Sequence, residues 1–124
     1  MTKIHPLTSL WLQAVATRQP RVVTNLYAPQ GILLGTVAPQ ILVGRKRIIT
    51  YFNSFLKKPG LQGTVDWEAT QDLPGGLVLL TGCYTFAWHG DSVRARYTFL
   101  WGLEETSFKP MILNHHSSTI PKGG

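Results

Sequence analysis

Val93-Arg94-Ala95-Arg96-Tyr97-Thr98-Phe99-Leu100-Trp101 alternates between two kinds of residue along its whole length. Side chains on a strand point to opposite faces in turn. Val93, Ala95, Tyr97, Phe99 and Trp101 therefore make one core-like face, while Arg94, Arg96, Thr98 and Leu100 make the other. The strand runs from Val93 to Leu103. Outward from it, Gln62 to Gln71, Leu77 to Trp88 and Phe108 to Ser118 also read as strands. Pro74-Gly75-Gly76, His89-Gly90-Asp91 and Glu104 to Ser107 separate them as hairpin connections. The second half of the chain is thus a run of antiparallel strands.

The first half has a different period. Leu7, Leu10, Trp11, Ala14 and Val15 recur at helical spacing, which predicts an amphipathic helix ending near Thr17. The stretch Leu7 to Ala16 weakly imitates a signal peptide, but Thr8, Ser9 and Gln13 interrupt it, so it is read as helix. Pro20 opens a second, short helix whose Val22, Val23, Leu26 and Tyr27 cluster on one face up to about Ala28. Ile32 to Leu34 form a short strand and Gly35 to Gln40 a loop. Gly44 precedes a third helix, with Ile48, Ile49, Phe52, Phe55 and Leu56 on one face, which runs to about Lys58 and stops at Pro59-Gly60. Helices first and strands afterward predict an α+β domain with the helices on one face of a sheet. A long helix lying on a strongly curved sheet leaves a cavity between the two, where ligands commonly bind.

The totals agree with one domain over residues 1–124. A hydrophobic content of 44% with only 15% charged residues excludes intrinsic disorder. The net charge of +6 favours anionic partners. The basic residues are dispersed as Arg45-Lys46-Arg47, Lys57-Lys58, Arg94 and Arg96, a pattern that does not point to nucleic acid. No run is long enough to span a bilayer, so no membrane partner is expected. Cys83 is the single cysteine. It excludes an intramolecular disulfide and a cysteine-based zinc cluster, fits a reducing, cytoplasmic setting, and reads as a small buried residue.

Chemistry concentrates at the end of the chain. Met111-Ile112-Leu113-Asn114-His115-His116-Ser117-Ser118-Thr119-Ile120-Pro121 places two histidines and three hydroxyls on the final strand, and burying such a block unsatisfied costs roughly 1–3 kcal/mol per group. The block is therefore expected to line a pocket, the alternative being a solvated tail. His115 and His116 are neighbours on a strand and point to opposite faces, so they cannot both ligate one ion. With only His5 and His89 besides, no metal and no other cofactor is expected.

Gly31-Ile32-Leu33-Leu34-Gly35-Thr36, Ile48-Ile49-Thr50-Tyr51-Phe52 with Phe55-Leu56, Gly82-Cys83-Tyr84-Thr85-Phe86, Ala95-Arg96-Tyr97-Thr98-Phe99 and His115-His116-Ser117-Ser118 fall in an order that resembles the nuclear transport factor 2-like (cystatin-like) superfamily. Within it the chain is similar to the branch related to the association domain of calcium/calmodulin-dependent protein kinase II, and most of all to the iota-class carbonic anhydrases. The resemblance covers roughly Leu26 to Pro121. It implies a cone of N-terminal helices on a strongly curved antiparallel sheet and self-association through that sheet as a homodimer or larger assembly. It further implies metal-independent interconversion of carbon dioxide and bicarbonate. Two places depart from the pattern: Lys122 stands where an acidic residue is expected, and Val37-Ala38-Pro39 replaces a more polar turn.

The resemblance names Thr36, Tyr51 and a serine of the final strand as catalytic. Sequence does not separate Ser117 from Ser118; Ser118, which shares a strand face with His116, is preferred as the catalytic one. Ser117, His115, His116 and Arg96 are assigned to substrate binding. Metal-free hydration needs hydrogen-bond donors that orient water and stabilise the bicarbonate-like charge, work that hydroxyls suit. Arg96 would add a positive field, and a histidine could move protons near neutral pH. The alternatives are a noncatalytic association or anion-binding module, and an enzyme of ketosteroid-isomerase or polyketide-cyclase type. The latter would need a pocket carboxylate, with Asp66, Glu68 and Asp72 as the nearest candidates. Alternatively, the histidine pair is structural and Arg96 pairs with Glu68 or Glu104. Trp67, Trp88 and Trp101 read as core or interface residues.

Overall fold

The computed structural model describes residues 3–36 and 38–121, so Val37 and Lys122, at the two departures noted above, lie outside the described residues. Helix α1 (Pro6–Ala16) begins where the His5 side chain accepts a hydrogen bond from the Leu7 N–H, with Pro6 in the first turn where no N–H is needed. It buries Thr8, Trp11, Ala14 and Val15. Helix α2 (Pro20–Thr24) is followed by strands β1 (Tyr27–Leu34) and β2 (Ile41–Val43), helix α3 (Arg45–Phe55), and strands β3 (Gln62–Leu73), β4 (Leu77–Trp88), β5 (Asp91–Leu103) and β6 (Pro110–Thr119). Gly44 precedes α3 at φ 87°, a left-handed conformation that glycine adopts without steric cost, and its N–H donates to the Gly31 carbonyl. Ile48, Phe52 and Phe55 form the buried stripe of α3.

The six strands make one sheet in the order β2-β1-β6-β5-β4-β3. All pairs are antiparallel except β1 with β6, which is parallel. The helices pack on one face over Leu33, Leu80, Tyr84, Phe86, Phe99, Trp101 and Ile112, all buried. Val93 aside, which is half-buried, the core face read from alternation in β5 is fully buried. No helix among the described residues is long and apolar enough to cross a membrane.

Three readings are corrected. The second helix ends at Thr24 rather than Ala28, because the Leu26 carbonyl accepts from the Ile112 N–H and draws Tyr27 into the sheet. Long-range pairing there overrides the local helical spacing. Strand β2 falls between the loop read over Gly35 to Gln40 and the helix read after Gly44, where the sequence assigns no element; it is three residues long with only Leu42 buried, too short to show a period. Cys83 is half-buried on the open face of the sheet rather than enclosed in the core.

The most consequential irregularity lies in β6. Leu100 pairs with Asn114 but Trp101 pairs with Ile112, so Leu113 is an extra residue without a partner on β5. Such a bulge shifts the alternation by one residue, and every side chain beyond it changes face. Ile112 is buried on the helix side, and beyond the bulge His115 and Ser117 occupy that side.

Candidate functional site

The site forms where the end of β1, the middle of α3, and the centres of β4 and β6 meet beneath α1. Thr36 follows β1, Tyr51 comes from α3, Tyr84 from β4, and His115 and Ser117 from β6. Trp11, Phe52, Phe55 and Phe86 close the space around them. About 10 Å³ is open there to the centre of a water-sized molecule, room for about one. No Asp or Glu is among the residues that line it.

The hydroxyls of Thr36 and Ser117 form a short hydrogen bond with each other. His115 is buried and bonded at both ring nitrogens, with the Tyr27 hydroxyl 2.7 Å from Nδ1 and the Tyr84 hydroxyl 3.1 Å from Nε2. The Trp11 indole N–H donates to the Tyr27 hydroxyl at 3.2 Å. Phe99 stacks on the His115 ring at 3.9 Å between centroids. Burial, reinforced by neighbouring His116, lowers the pKa of His115 to about 3, so the imidazole is neutral near neutral pH. Burial is also the main cause of the raised pKa of Tyr84 and Tyr27, which hold their phenolic protons. The interior of the site therefore carries no formal charge.

Tyr51 is half-buried and stacks on Phe55. A Cβ at Gly35 would sit 2.3 Å from the Tyr51 ring, so glycine is what lets that ring lie against the end of β1.

Thr36, Tyr51, Ser117 and His115 come together as a group. Ser118, His116 and Arg96 do not join them: they face the opposite side of the sheet, in an open groove of about 280 Å³ shared with Trp67 and Cys83. The preference for Ser118 as the pocket serine is thereby corrected to Ser117, and the cause is the bulge at Leu113. His116 and Ser118 do share a face, but it is the outer one. Arg96 is exposed and has no ion pair among the described residues; the ion pair on this face is Arg94 with Asp66, at 3.3 Å. Glu68 instead ties α1 to the sheet, accepting from the His5 N–H at 2.8 Å, the Thr8 hydroxyl at 2.6 Å and the Tyr97 hydroxyl at 2.7 Å. Desolvation, the hydrogen bond to Glu68 and its charge all raise the Tyr97 pKa. Trp101 is core, Trp88 carries Lys58 over its ring at 4.3 Å, and Trp67 is exposed on the outer face.

Sequence reasoning missed Tyr84, Tyr27 and Trp11. Each sits within an apolar run where an aromatic residue reads as core. A signal existed for Tyr84, which is two residues from Phe86 and so on the same strand face. Among the described residues no three of His, Cys, Asp and Glu cluster closely enough to hold a metal ion.

No protein-family model matches the chain, and no curated protein does. Among solved structures, a candidate calcium/calmodulin dependent protein kinase II association domain from Xanthomonas campestris is 36% identical, with a TM-score of 0.87 over 94% of this chain and 85% of its own. A candidate ketosteroid isomerase from Parabacteroides distasonis is 16% identical with a TM-score of 0.78, covering 94% of this chain and 86% of its own. A nuclear transport factor 2-like superfamily protein from Salmonella enterica is 14% identical with a TM-score of 0.79, covering 94% and 88%. The last two establish the fold alone, which is the nuclear transport factor 2-like one.

Proposed function

The chain belongs to the calcium/calmodulin-dependent protein kinase II association-domain-like family, and on that premise we propose that it is a metal-independent carbonic anhydrase of the cytoplasm. The observation that carries this reading is the character of the cavity: water-sized, uncharged and ringed by hydroxyls. A site that small suits a substrate of very few atoms. A ketosteroid-type reaction would need both a larger space and a carboxylate base. Asp66, Glu68 and Asp72 all lie outside the cavity lining.

The chemistry follows from the paired hydroxyls. A water held in the cavity attacks the carbon of a carbon dioxide at its mouth as one of its protons passes to the Thr36–Ser117 pair, and that pair returns a proton to an oxygen of the former carbon dioxide. Carbonic acid forms and loses a proton to solvent as bicarbonate. The relay needs no ionised base, which matters because His115 is held neutral by burial and has both nitrogens engaged. Tyr51 borders the same space and adds a hydroxyl to the wall. Donors aimed at the developing charge inside a dry site are worth more than in water.

The test is stopped-flow hydration of carbon dioxide by purified protein before and after exhaustive chelation, alongside Ser117→Ala and Tyr51→Phe. Activity that survives chelation and falls about 100-fold in Ser117→Ala supports the reading. Loss of activity on chelation, or full activity in both variants, refutes it. A folded protein with no hydration above buffer points to the second reading, a noncatalytic association module. That reading is favoured by the outer groove, where Trp67 is 55% exposed. Self-association as a homodimer or larger assembly through this face belongs to both readings. Sedimentation of Trp67→Asp against the native chain checks it: a smaller species is expected, and an unchanged one counts against that face.

A further inference from the structure

We propose that Tyr84 is a further substrate-contacting residue, whose hydroxyl proton is turned into the cavity by a one-way chain of hydrogen bonds running from Trp11 through Tyr27 and His115. The direction follows from counting protons. An indole N–H can only donate. Trp11 is buried, and its N–H goes to the Tyr27 hydroxyl. The Tyr27 hydroxyl is also buried, and its partners are Trp11 and His115 Nδ1. Having accepted from Trp11, it places its single proton on Nδ1.

The reverse arrangement fails at one atom. Were Nδ1 to carry the hydrogen, Tyr27 would accept twice and its own proton would be left buried without an acceptor, an arrangement that folded proteins avoid. His115 is therefore the Nε2–H tautomer. The low pKa imposed by its burial agrees, since a doubly protonated ring is disfavoured there. Nε2–H then donates to the Tyr84 hydroxyl. Tyr84 has received a hydrogen bond from behind and lines the cavity, so its own proton is directed forward into that space.

The consequence concerns what the site can hold. A ligand beside Tyr84 that offers an acceptor, as carbon dioxide and bicarbonate do, meets a proton already aimed at it. Trp11, Tyr27 and His115 are positioning residues in this scheme. The role of Tyr84 in turnover rests on the carbonic anhydrase reading, but the tautomer does not.

Long-range proton–nitrogen correlation spectra of protein labelled with ¹⁵N-histidine read the tautomer directly. A neutral His115 protonated on Nε2 is expected at neutral pH in the native chain, with loss of that single tautomer in Tyr27→Phe. An Nδ1–H tautomer, or a charged ring at neutral pH, overturns the chain. For turnover, Tyr84→Phe is expected to lower kcat/KM for carbon dioxide about 10- to 100-fold in a protein that stays folded at the assay temperature though with a lowered Tm; an unchanged kcat/KM overturns the donor role. If the native protein shows no hydration, the carbonic anhydrase reading fails separately, and bicarbonate serves as the probe. Weaker bicarbonate binding in Tyr84→Phe then supports the donor, and equal binding overturns it.

Discussion

Strand β6 carries the same pair of residue types twice, with opposite fates. His115 and Ser117 lie buried under the helices, bonded to Tyr27, Tyr84 and Thr36. His116 and Ser118 look out from the other face, His116 exposed and Ser118 half-buried beside Arg96 and Trp67. Identical side chains one residue apart differ only in which way the backbone turns them. The comparison teaches that chemical role here is set by the phase of the strand, since burial converts a titrating imidazole into a fixed neutral donor and acceptor.

Four experiments break or sharpen that contrast. The largest effect is expected from His115→Ala, which removes a stacked ring and strands two buried tyrosine hydroxyls. Denaturant unfolding should show a loss of about 3–5 kcal/mol. The same change at His116 should stay within about 0.5 kcal/mol. Equal losses would erase the contrast. Next in size is Ser117→Ala, expected to cost turnover about 100-fold, equivalent to ~2.7 kcal/mol of barrier, while Ser118→Ala leaves hydration near the native rate. If Ser118→Ala is the damaging one, the outer groove holds the chemistry.

Gly35→Ala comes third. Its new methyl would collide with the Tyr51 ring, so a loss of about 1–3 kcal/mol in stability is expected, together with slower hydration as the ring moves. The pH dependence of stability is the gentlest. His115 titrates near 6.5 when unfolded and at about 3 when folded. Between those values the unfolded chain takes up a proton that the folded one refuses. Its contribution to stability is therefore intact above about pH 6.5 and is lost progressively down to about pH 3, with a slope of at most about 1.4 kcal/mol per pH unit. Denaturation midpoints across that window should show the slope in native protein and a shallower one in His115→Asn.

The α+β class was legible because the helical period of the first half and the alternating period of the second are both strong. Pro74-Gly75-Gly76 and His89-Gly90-Asp91 bounded β4 so sharply that both of its ends, Leu77 and Trp88, match the structure. The short β1–β2 region was less legible, since its strands owe their existence to pairing with β6 and with each other rather than to any local pattern. Thr36, Tyr51, His115 and Ser117 were all named from sequence as site residues, yet the split between the two faces was not. Counting by twos from buried Ile112 points Ser118 inward. Only the pairing of Trp101 with Ile112 and Leu100 with Asn114 reveals the extra residue that reverses the count. Tyr27 and Trp11 escaped notice because a buried aromatic residue and a hydrogen-bonding one look alike in a sequence.

The uncharged interior separates what salt can reach from what it cannot. The chain's formal charge of +6 lies with its lysines and arginines, none of which lines the cavity. That field acts on an approaching anion over about 8–10 Å at ordinary ionic strength and has no hold on a neutral gas molecule. Rising ionic strength should therefore weaken the binding of bicarbonate and leave the binding of carbon dioxide untouched, so that the surrounding electrolyte sets how tightly one side of the reaction is held and not the other.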